Sequence, residues 1–187
     1  MEETLRQAPS DCLKIVFFGP ESTGKTTLAG KLANHFNTEW VPEYMREYLQ
    51  EKWDNKGEKI SWEDLIPIAK GQIASENEKA QKAKNVLFCD TDLRELQVYS
   101  EYYNNGNCPS EIRKAVEDNR YDMYFLTFVD TPWVADDLRD LPDDRLGIFR
   151  IFEDELKSKG LPYQVLHGSI AERMKSAIEL IEKLVGR

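Results

Sequence analysis

The residues from Gly19 to Thr26 have the types and spacing needed to hold a chain of phosphates. They read Gly-Pro-Glu-Ser-Thr-Gly-Lys-Thr, which fits the G-x-x-x-x-G-K-[ST] pattern at every fixed position. The two glycines let the backbone curl so that its N–H groups point inward. Lys25 is expected to reach the β- and γ-phosphates, and the Thr26 hydroxyl to coordinate Mg²⁺. The predicted nucleotide-binding residues are Gly19, Glu21, Ser22, Thr23, Gly24, Lys25, Thr26 and Thr27.

A second chemical group, Asp90, follows the apolar run Val-Leu-Phe-Cys of residues 86–89. A carboxylate at the carboxyl end of a buried strand is where a P-loop protein holds Mg²⁺, directly or through water. We therefore assign Asp90 a metal-binding or catalytic-base role, with Thr26 as its partner on the metal. Asp92 is the better candidate of the two for capping the helix that begins at Leu93.

Glu43 and Arg46 follow a short predicted strand and lie where a P-loop kinase places its acceptor. A carboxylate there can take the proton of the attacking hydroxyl, and an arginine can clamp the acceptor or the transferred phosphate. Glu43 and Asp90 compete for the role of base, and the sequence leaves both open. An exposed helix start with ordinary charges is the alternative interpretation of this segment.

Residues 133–139, Trp-Val-Ala-Asp-Asp-Leu-Arg, open a charged segment that is predicted to form a lid over about 133–150. Such a lid closes over bound nucleotide, excludes water and brings Arg139 to the γ-phosphate. Arg145 and Arg150 are further candidates. A solvated surface loop is the alternative interpretation.

Flat rings are concentrated near the predicted acceptor side, where they can stack on a ring substrate and attract a cationic one. For any single ring, packing in the core or against a helix is the more common role. The residues are Trp40, Tyr44, Tyr48, Trp62, Tyr99, Tyr102 and Tyr103.

The elements that must position these groups follow from hydrophobic periodicity. Strands are predicted at 13–18, 38–41, 86–89, 122–129 and 163–166, and helices at 25–36, 42–51, 61–84, 93–103, 110–119 and 145–159. Residues 53–59 are predicted to form a loop, and Ser169 with Glu172 to form a capping box for a last helix. The alternation of strands and helices predicts one α/β domain over 1–187 with a parallel sheet.

Composition excludes several classes of function. A net charge of −9 makes the chain a poor general binder of nucleic acid or anionic membrane, so the acceptor is expected to be a small molecule. Three cysteines without a CxxC pair indicate reduced thiols, and two distant histidines leave little material for a zinc site. With no apolar run of membrane-spanning length, a cytoplasmic location is expected. The sequence leaves homo-oligomerisation open.

Taken together, these segments resemble the ribosylnicotinamide kinase domain of the NadR bifunctional NAD-biosynthesis proteins. The matching elements, in order, are GPESTGKTTL at 19–28, WVPEYMREY at 40–48, FCDTD at 88–92 and residues 133–139. The resemblance implies a three-layer P-loop NTPase fold with a five-stranded parallel sheet and a lid. It also implies ATP-dependent phosphorylation of nicotinamide riboside to nicotinamide mononucleotide. Implied substrate-binding residues are Glu43, Tyr44, Arg46, Asp92 and Trp133, and implied catalytic residues are Lys25, Glu43, Asp90 and Arg139.

The sequence differs from the pattern of that family in two places. Pro42 stands where the family has a tryptophan before the Glu-Tyr pair, and residues 93–96, Leu-Arg-Glu-Leu, lack the hydroxyl residues expected after D-T-D. Two alternatives to nicotinamide riboside phosphorylation therefore stay open. One is a kinase for another nucleoside or a nucleotide, and the other is a non-catalytic module that binds ATP or GTP and signals to a partner.

Overall fold

A computed structural model describes residues 5–136, 138–139 and 143–186. Within these residues five strands alternate with helices. A short 3₁₀ helix, Trp62–Asp64, comes directly before α3. The elements are β1 (Leu13–Phe18), α1 (Lys25–Phe36), β2 (Trp40–Val41), α2 (Tyr44–Lys56), α3 (Leu65–Ala80), β3 (Val86–Asp90), α4 (Leu93–Tyr103), α5 (Ser110–Asp118), β4 (Met123–Thr127), α6 (Arg145–Ser158), β5 (Tyr163–Leu166) and α7 (Ile170–Val185).

The strands form one parallel sheet in the order β2-β3-β1-β4-β5. β1 lies at the centre between β3 and β4, so the chain crosses from one side of β1 to the other as it proceeds. In such sheets ligands bind beyond the carboxyl ends of the strands at the point where the strand order reverses. The loop after β1 and the residues after β3 meet at this point.

Alternate side chains of β1 point to opposite faces of the sheet, as the period of two requires. Val16 and Phe18 pack in a cluster with Phe152 of α6, and the Phe18 and Phe152 rings meet edge to face at 4.8 Å. Ile15 and Phe17 pack on the other face in a cluster formed with α1 and α7. The predicted three-layer α/β fold with a five-stranded parallel sheet is confirmed.

A third apolar cluster joins α2, α3, α4 and α5 beside the sheet. Leu49, Ile68, Leu96 and Ile112 are buried in it. Within this cluster α3 packs against both α2 and α4, and the latter two helices present residues to the site described below.

Three predicted helix boundaries are wrong, and the strands predicted at 38–41 and 122–129 are shorter in the structure, at Trp40–Val41 and Met123–Thr127. The predicted loop at 53–59 is helical as far as Lys56, because charged side chains are no obstacle on an exposed helix and Gly57, at φ 65°, supplies the left-handed turn that ends α2. The helix predicted to reach Lys84 ends at Ala80. The helix after β2 begins at Tyr44 rather than Pro42.

The predicted lid at 133–150 is partly outside the described residues, which omit 137 and 140–142. Its last residues belong to α6, whose first turn is capped by the Asp144 carboxylate accepting from Gly147 N. No helix in the described part of the chain is long and apolar enough to cross a membrane.

Candidate active site

A cleft of about 510 Å³ opens beside the carboxyl ends of β1 and β3. One side, the P-loop wall, consists of residues 21–27. The opposite side, the helical wall, is formed by the start of α2, residues 59–62 and one face of α4. Leu138 and Arg139 of the predicted lid border the cleft as well.

The glycines of the P-loop are required by its backbone geometry. Gly19 has φ 133°, and a Cβ there would lie 3.0 Å from the Thr127 hydroxyl oxygen and 3.1 Å from the Thr127 carbonyl oxygen. Gly24 has φ 86° at the N-terminus of α1. Both conformations disfavour any residue with a side chain, so the fixed glycines of the motif are explained by this loop.

Side chains that are distant in sequence form hydrogen bonds with the P-loop and fix its shape. The Thr23 hydroxyl lies 2.6 Å from the Thr127 hydroxyl and donates to Pro20 O at 2.7 Å. The fully buried Arg173 of α7 donates from Nη1 to Thr23 O at 2.7 Å and also pairs with Asp130. The loop is therefore tied to β4 and α7, and its shape does not depend on its own residues alone.

Lys25 is buried beneath the loop, and its Nζ has three partners. It donates to Gly19 O at 2.8 Å and Pro20 O at 2.9 Å, and it forms an ion pair with Glu95 Oε1 at 3.2 Å. Burial acts to lower the pKa of Lys25, but the carboxylates of Glu95, Glu43 and Asp90 raise it overall. The lysine is thus firmly cationic.

Asp90 lies behind Thr26 and does not line the cleft itself. The Thr26 hydroxyl donates to Asp90 Oδ2, while Oδ1 is buried with no hydrogen-bond partner among the residues described. Burial raises the pKa of Asp90, although Lys25 and Thr26 oppose the shift. An unpaired buried carboxylate oxygen beside a threonine hydroxyl fits a divalent cation, which would satisfy that oxygen.

A left-handed residue separates the two aspartates of the D-T-D element. Thr91 has φ 68°, unusual for a β-branched residue, and its N–H donates to Phe17 O at 3.0 Å. The turn directs Asp90 toward Thr26 and leaves Asp92 at the start of α4. Asp92 caps that helix by accepting from Glu95 N at 3.1 Å, and it accepts from the Tyr124 hydroxyl at 2.8 Å. Asp92, predicted to bind substrate, is therefore buried outside the cleft.

Glu43 is the carboxylate that reaches the cleft from the helical wall. It stands at the N-cap position of α2 but makes no side-chain capping hydrogen bond. Burial and the neighbouring Asp90 raise the pKa of Glu43 to about 7. A carboxyl group that titrates near neutrality can both accept and release a proton at working pH.

Two arginines line the cleft and share one acid. Arg46 of α2 pairs with Asp136, and Arg139 Nε lies 3.3 Å from the same carboxylate. Arg145 instead donates to Ser22 O at 3.0 Å and to Thr131 O at 2.5 Å, so it ties the segment after β4 to the P-loop. Arg150 is exposed on α6.

Two other predicted substrate residues lie outside the cleft. The Tyr44 ring sits over Gly71 of α3, where an added Cβ would come within 2.0 Å of the ring. Trp133 is half-buried beside the P-loop and does not line the cleft. Its neighbour Val134 donates its N–H to the Ser22 hydroxyl at 2.9 Å.

Three contacts between α4 and the P-loop were missed by the sequence analysis. Glu95 pairs with Lys25 and accepts from Gly19 N at 3.3 Å, and the Tyr99 hydroxyl accepts from Glu21 N at 3.1 Å. Glu95 and Tyr99 are four residues apart, so they share one face of α4. That spacing, directly after the D-T-D element, is the signal by which they could have been found.

Three side chains of the helical wall form a largely apolar patch that remains partly open to solvent. Ile60, Trp62 and Tyr103 are 40%, 43% and 47% exposed, respectively, and all three line the cleft. Of the predicted aromatic group, only Trp62, Tyr99 and Tyr103 reach the cleft. The arrangement offers flat apolar surface at one end and phosphate-binding groups at the other.

Comparison with known proteins supports the resemblance inferred from the motifs. The AAA domain family model matches residues 14–173. The trifunctional NAD biosynthesis/regulator protein NadR of Salmonella typhimurium is 30% identical over 175 residues, which are 92% of this chain and 42% of that protein. The chain thus spans less than half the length of this curated relative.

Two crystal structures of NadR have a similar fold, one in complex with NAD and AMP-PNP and one in complex with NR. Each superimposes with a TM-score of 0.74 and covers 95% of this chain and 50% of the other. The sequence identities are 22% and 21%. At this identity the likeness concerns the fold.

Proposed function

We propose that this chain, which belongs to the AAA domain family, is an ATP-dependent kinase that phosphorylates nicotinamide riboside to nicotinamide mononucleotide. One observation carries the proposal: a single cleft is bordered by a phosphate-binding loop on one wall and by Glu43 and a partly open aromatic surface on the other. A donor phosphate and an acceptor hydroxyl can therefore meet in one cavity. The similarity to NadR, whose crystal structures contain NR and AMP-PNP, supports nicotinamide riboside and ATP as the two substrates.

The P-loop wall is the donor side. Its backbone N–H groups and the N-terminus of α1 attract the phosphates, and Lys25 adds a fixed positive charge. Thr26 and Asp90 would hold Mg²⁺, and the bound ion would neutralise negative charge on the phosphates. In the described part of the chain no cluster of three or more His, Cys, Asp or Glu forms a metal site. That is compatible with Mg²⁺, which keeps several waters and phosphate oxygens as ligands.

Glu43 is the base in this proposal. It lines the cleft, whereas Asp90 is buried behind Thr26, so of these two candidates Glu43 is the one with direct access to an acceptor hydroxyl. Its pKa of about 7 suits proton abstraction near neutral pH. Arg46 and Arg139, which also line the cleft, would neutralise charge as the phosphoryl group moves between the two oxygens.

The aromatic end of the helical wall would receive the acceptor's base. Trp62 and Tyr103 offer ring surface for stacking, and a cationic nicotinamide ring gains further attraction from such faces. A cationic acceptor such as nicotinamide riboside fits this end better than a neutral one.

A steady-state assay of ADP release tests the proposal. The expected result is release that requires nicotinamide riboside and Mg²⁺ and yields nicotinamide mononucleotide, identified by mass spectrometry. ADP release with other nucleosides but not with nicotinamide riboside would show that the acceptor is a different nucleoside. Release without any acceptor, or none with a full panel of nucleosides and nucleotides, would point to a nucleotide-binding regulatory module instead.

A further inference from the structure

The ammonium group of Lys25 has three N–H donors, and the structure accounts for all three. Two point to the carbonyl oxygens of Gly19 and Pro20, at 2.8 and 2.9 Å. The third faces Glu95 Oε1 at 3.2 Å. Because a lysine has no further donor, a phosphate oxygen can bind Lys25 only if one of these partners gives way.

Of the three partners, Glu95 is the one that can leave. The two carbonyls belong to the P-loop backbone, which Thr127 and Arg173 hold in place through Thr23. Glu95 reaches Lys25 by a side chain with rotatable bonds from α4. Its second oxygen accepts from Gly19 N at 3.3 Å, so the carboxyl group keeps a partner after it releases the lysine.

The charge of Glu95 also opposes the ligand. Glu95 is nearly completely buried and lines the cleft. Burial and the neighbouring Glu43 and Asp90 raise the pKa of Glu95, whereas the ion pair with Lys25 at 3.2 Å opposes that shift and favours the carboxylate. A polyphosphate that binds Lys25 therefore breaks a buried ion pair and brings its own negative charge close to that of Glu95. Both effects weaken nucleotide binding, and the second is strong because burial limits screening by solvent.

We propose that Glu95 is a positioning residue that occupies the third donor of Lys25 and yields it to the nucleotide's phosphates, so that its carboxylate limits nucleotide affinity. This inference rests on the proposed nucleotide binding but not on the identity of the acceptor. The carboxylate returns to Lys25 when the phosphates leave, which favours release of the product nucleotide.

Glu95→Gln tests the idea, because the amide keeps the size of the side chain and can still accept from Gly19 N–H. The measurement is the Kd of a non-hydrolysable ATP analogue with Mg²⁺ by calorimetry. We expect Kd to fall about tenfold, within the range of couplings between neighbouring buried groups. Glu101→Gln on the same helix, whose carboxylate pairs with Arg113 away from Lys25, is the matched control and should leave Kd unchanged.

The same pair of measurements in a Lys25→Met background closes a double-mutant cycle. If Glu95 acts partly through Lys25, Glu95→Gln should tighten binding clearly less in the Lys25→Met background than in the Lys25 protein, because only the repulsion between Glu95 and the phosphates then remains. An unchanged or weaker affinity of Glu95→Gln in the Lys25 protein overturns the inference. Equal tightening in both backgrounds also overturns it, because simple repulsion of the phosphates would then suffice.

Thermal unfolding and kinetics separate this role from a structural one. If Glu95 merely supported the loop, Glu95→Gln would lower Tm and weaken nucleotide binding together. The proposed role instead predicts tighter binding in a protein that is still folded. It also predicts a KM for ATP that falls by a larger factor than kcat changes. Tight binding of the analogue without any effect of Glu95→Gln overturns this inference alone, and failure of the unaltered protein to bind it overturns the proposed function too.

Discussion

The two walls of the cleft are built in different ways. The P-loop wall is a run of consecutive residues whose shape is fixed by two glycines and by hydrogen bonds from Thr127 and Arg173. The helical wall combines side chains from α2, residues 59–62 and α4, and two of its aromatic members, Trp62 and Tyr103, are 43% and 47% exposed. Backbone geometry thus dominates on one side and replaceable side chains on the other. We therefore expect the largest loss of turnover from substitutions on the P-loop wall, and effects on the helical wall that range from large at Glu43 to small at the aromatic residues.

The largest effect is expected for Lys25→Ala on the P-loop wall. Loss of its charge from the transferring phosphates should reduce kcat/KM by on the order of 10³- to 10⁵-fold, comparable with loss of an arginine finger. Lys31→Ala, at an exposed position of the same helix, is the matched control and should leave the rate of ADP release unchanged. Near-normal turnover by Lys25→Ala would contradict the role that we assign to the P-loop in the reaction.

Glu43→Gln should come next, because it removes the proposed base while keeping the shape of the side chain. We expect kcat to fall by about 10²- to 10⁴-fold with little change in the KM for ATP. The matched control is Glu47→Gln, an exposed acid one turn further along α2. If Glu43→Gln retained full kcat, the assignment of the base would return to Asp90.

The pH profile offers a test of the same carboxyl group without mutation. A pKa of about 7 leaves Glu43 protonated, and unable to accept a proton, in more acidic solution. The value of kcat/KM should therefore rise with pH up to about 7 and then level off, with about a tenfold loss for each unit below that point. In Glu43→Gln this acidic limb should disappear. A profile that is flat between pH 5 and 8 in the unaltered protein would contradict the assignment.

The smallest effect is expected from Tyr103→Ala at the aromatic end of the helical wall. Loss of a stacking surface should raise the KM for nicotinamide riboside by roughly tenfold, since base stacking on an aromatic ring contributes about 1–3 kcal/mol. The KM for ATP should not change. Tyr102, its neighbour in sequence, is 40% exposed but does not line the cleft, so Tyr102→Ala is the matched control. Equal effects of the two substitutions would place the acceptor's ring elsewhere.

The same contrast explains how much the sequence could predict. Fold class, strand order along the chain and the P-loop wall followed from local patterns, because a buried strand, a glycine loop and a helix are each encoded by neighbouring residues. The capping roles of Asp92 and of Ser169 with Glu172 were found in the same way. These features require no knowledge of what lies across the molecule.

The helical wall was harder to predict because its members meet only after folding. Tyr44 is adjacent to Glu43, but it packs over Gly71 of α3. Glu95 belongs to no recognised motif. Its role depends on an ion pair at 3.2 Å with Lys25, which lies 70 positions earlier in the chain. The chemical roles assigned to Glu43, Asp90, Arg139 and the other predicted site residues stay predictions, as does the lid.

The buried guanidinium of Arg173 has a consequence for how the molecule assembles during synthesis. It donates to the carbonyl of Thr23, 150 positions earlier in the chain. The ribosome therefore releases the P-loop long before the residue that clamps it, and contacts of such sequence separation form slowly. Until α7 docks, the nascent loop lacks one of its anchors. Competence to bind nucleotide should consequently appear late in folding, after the sheet has formed.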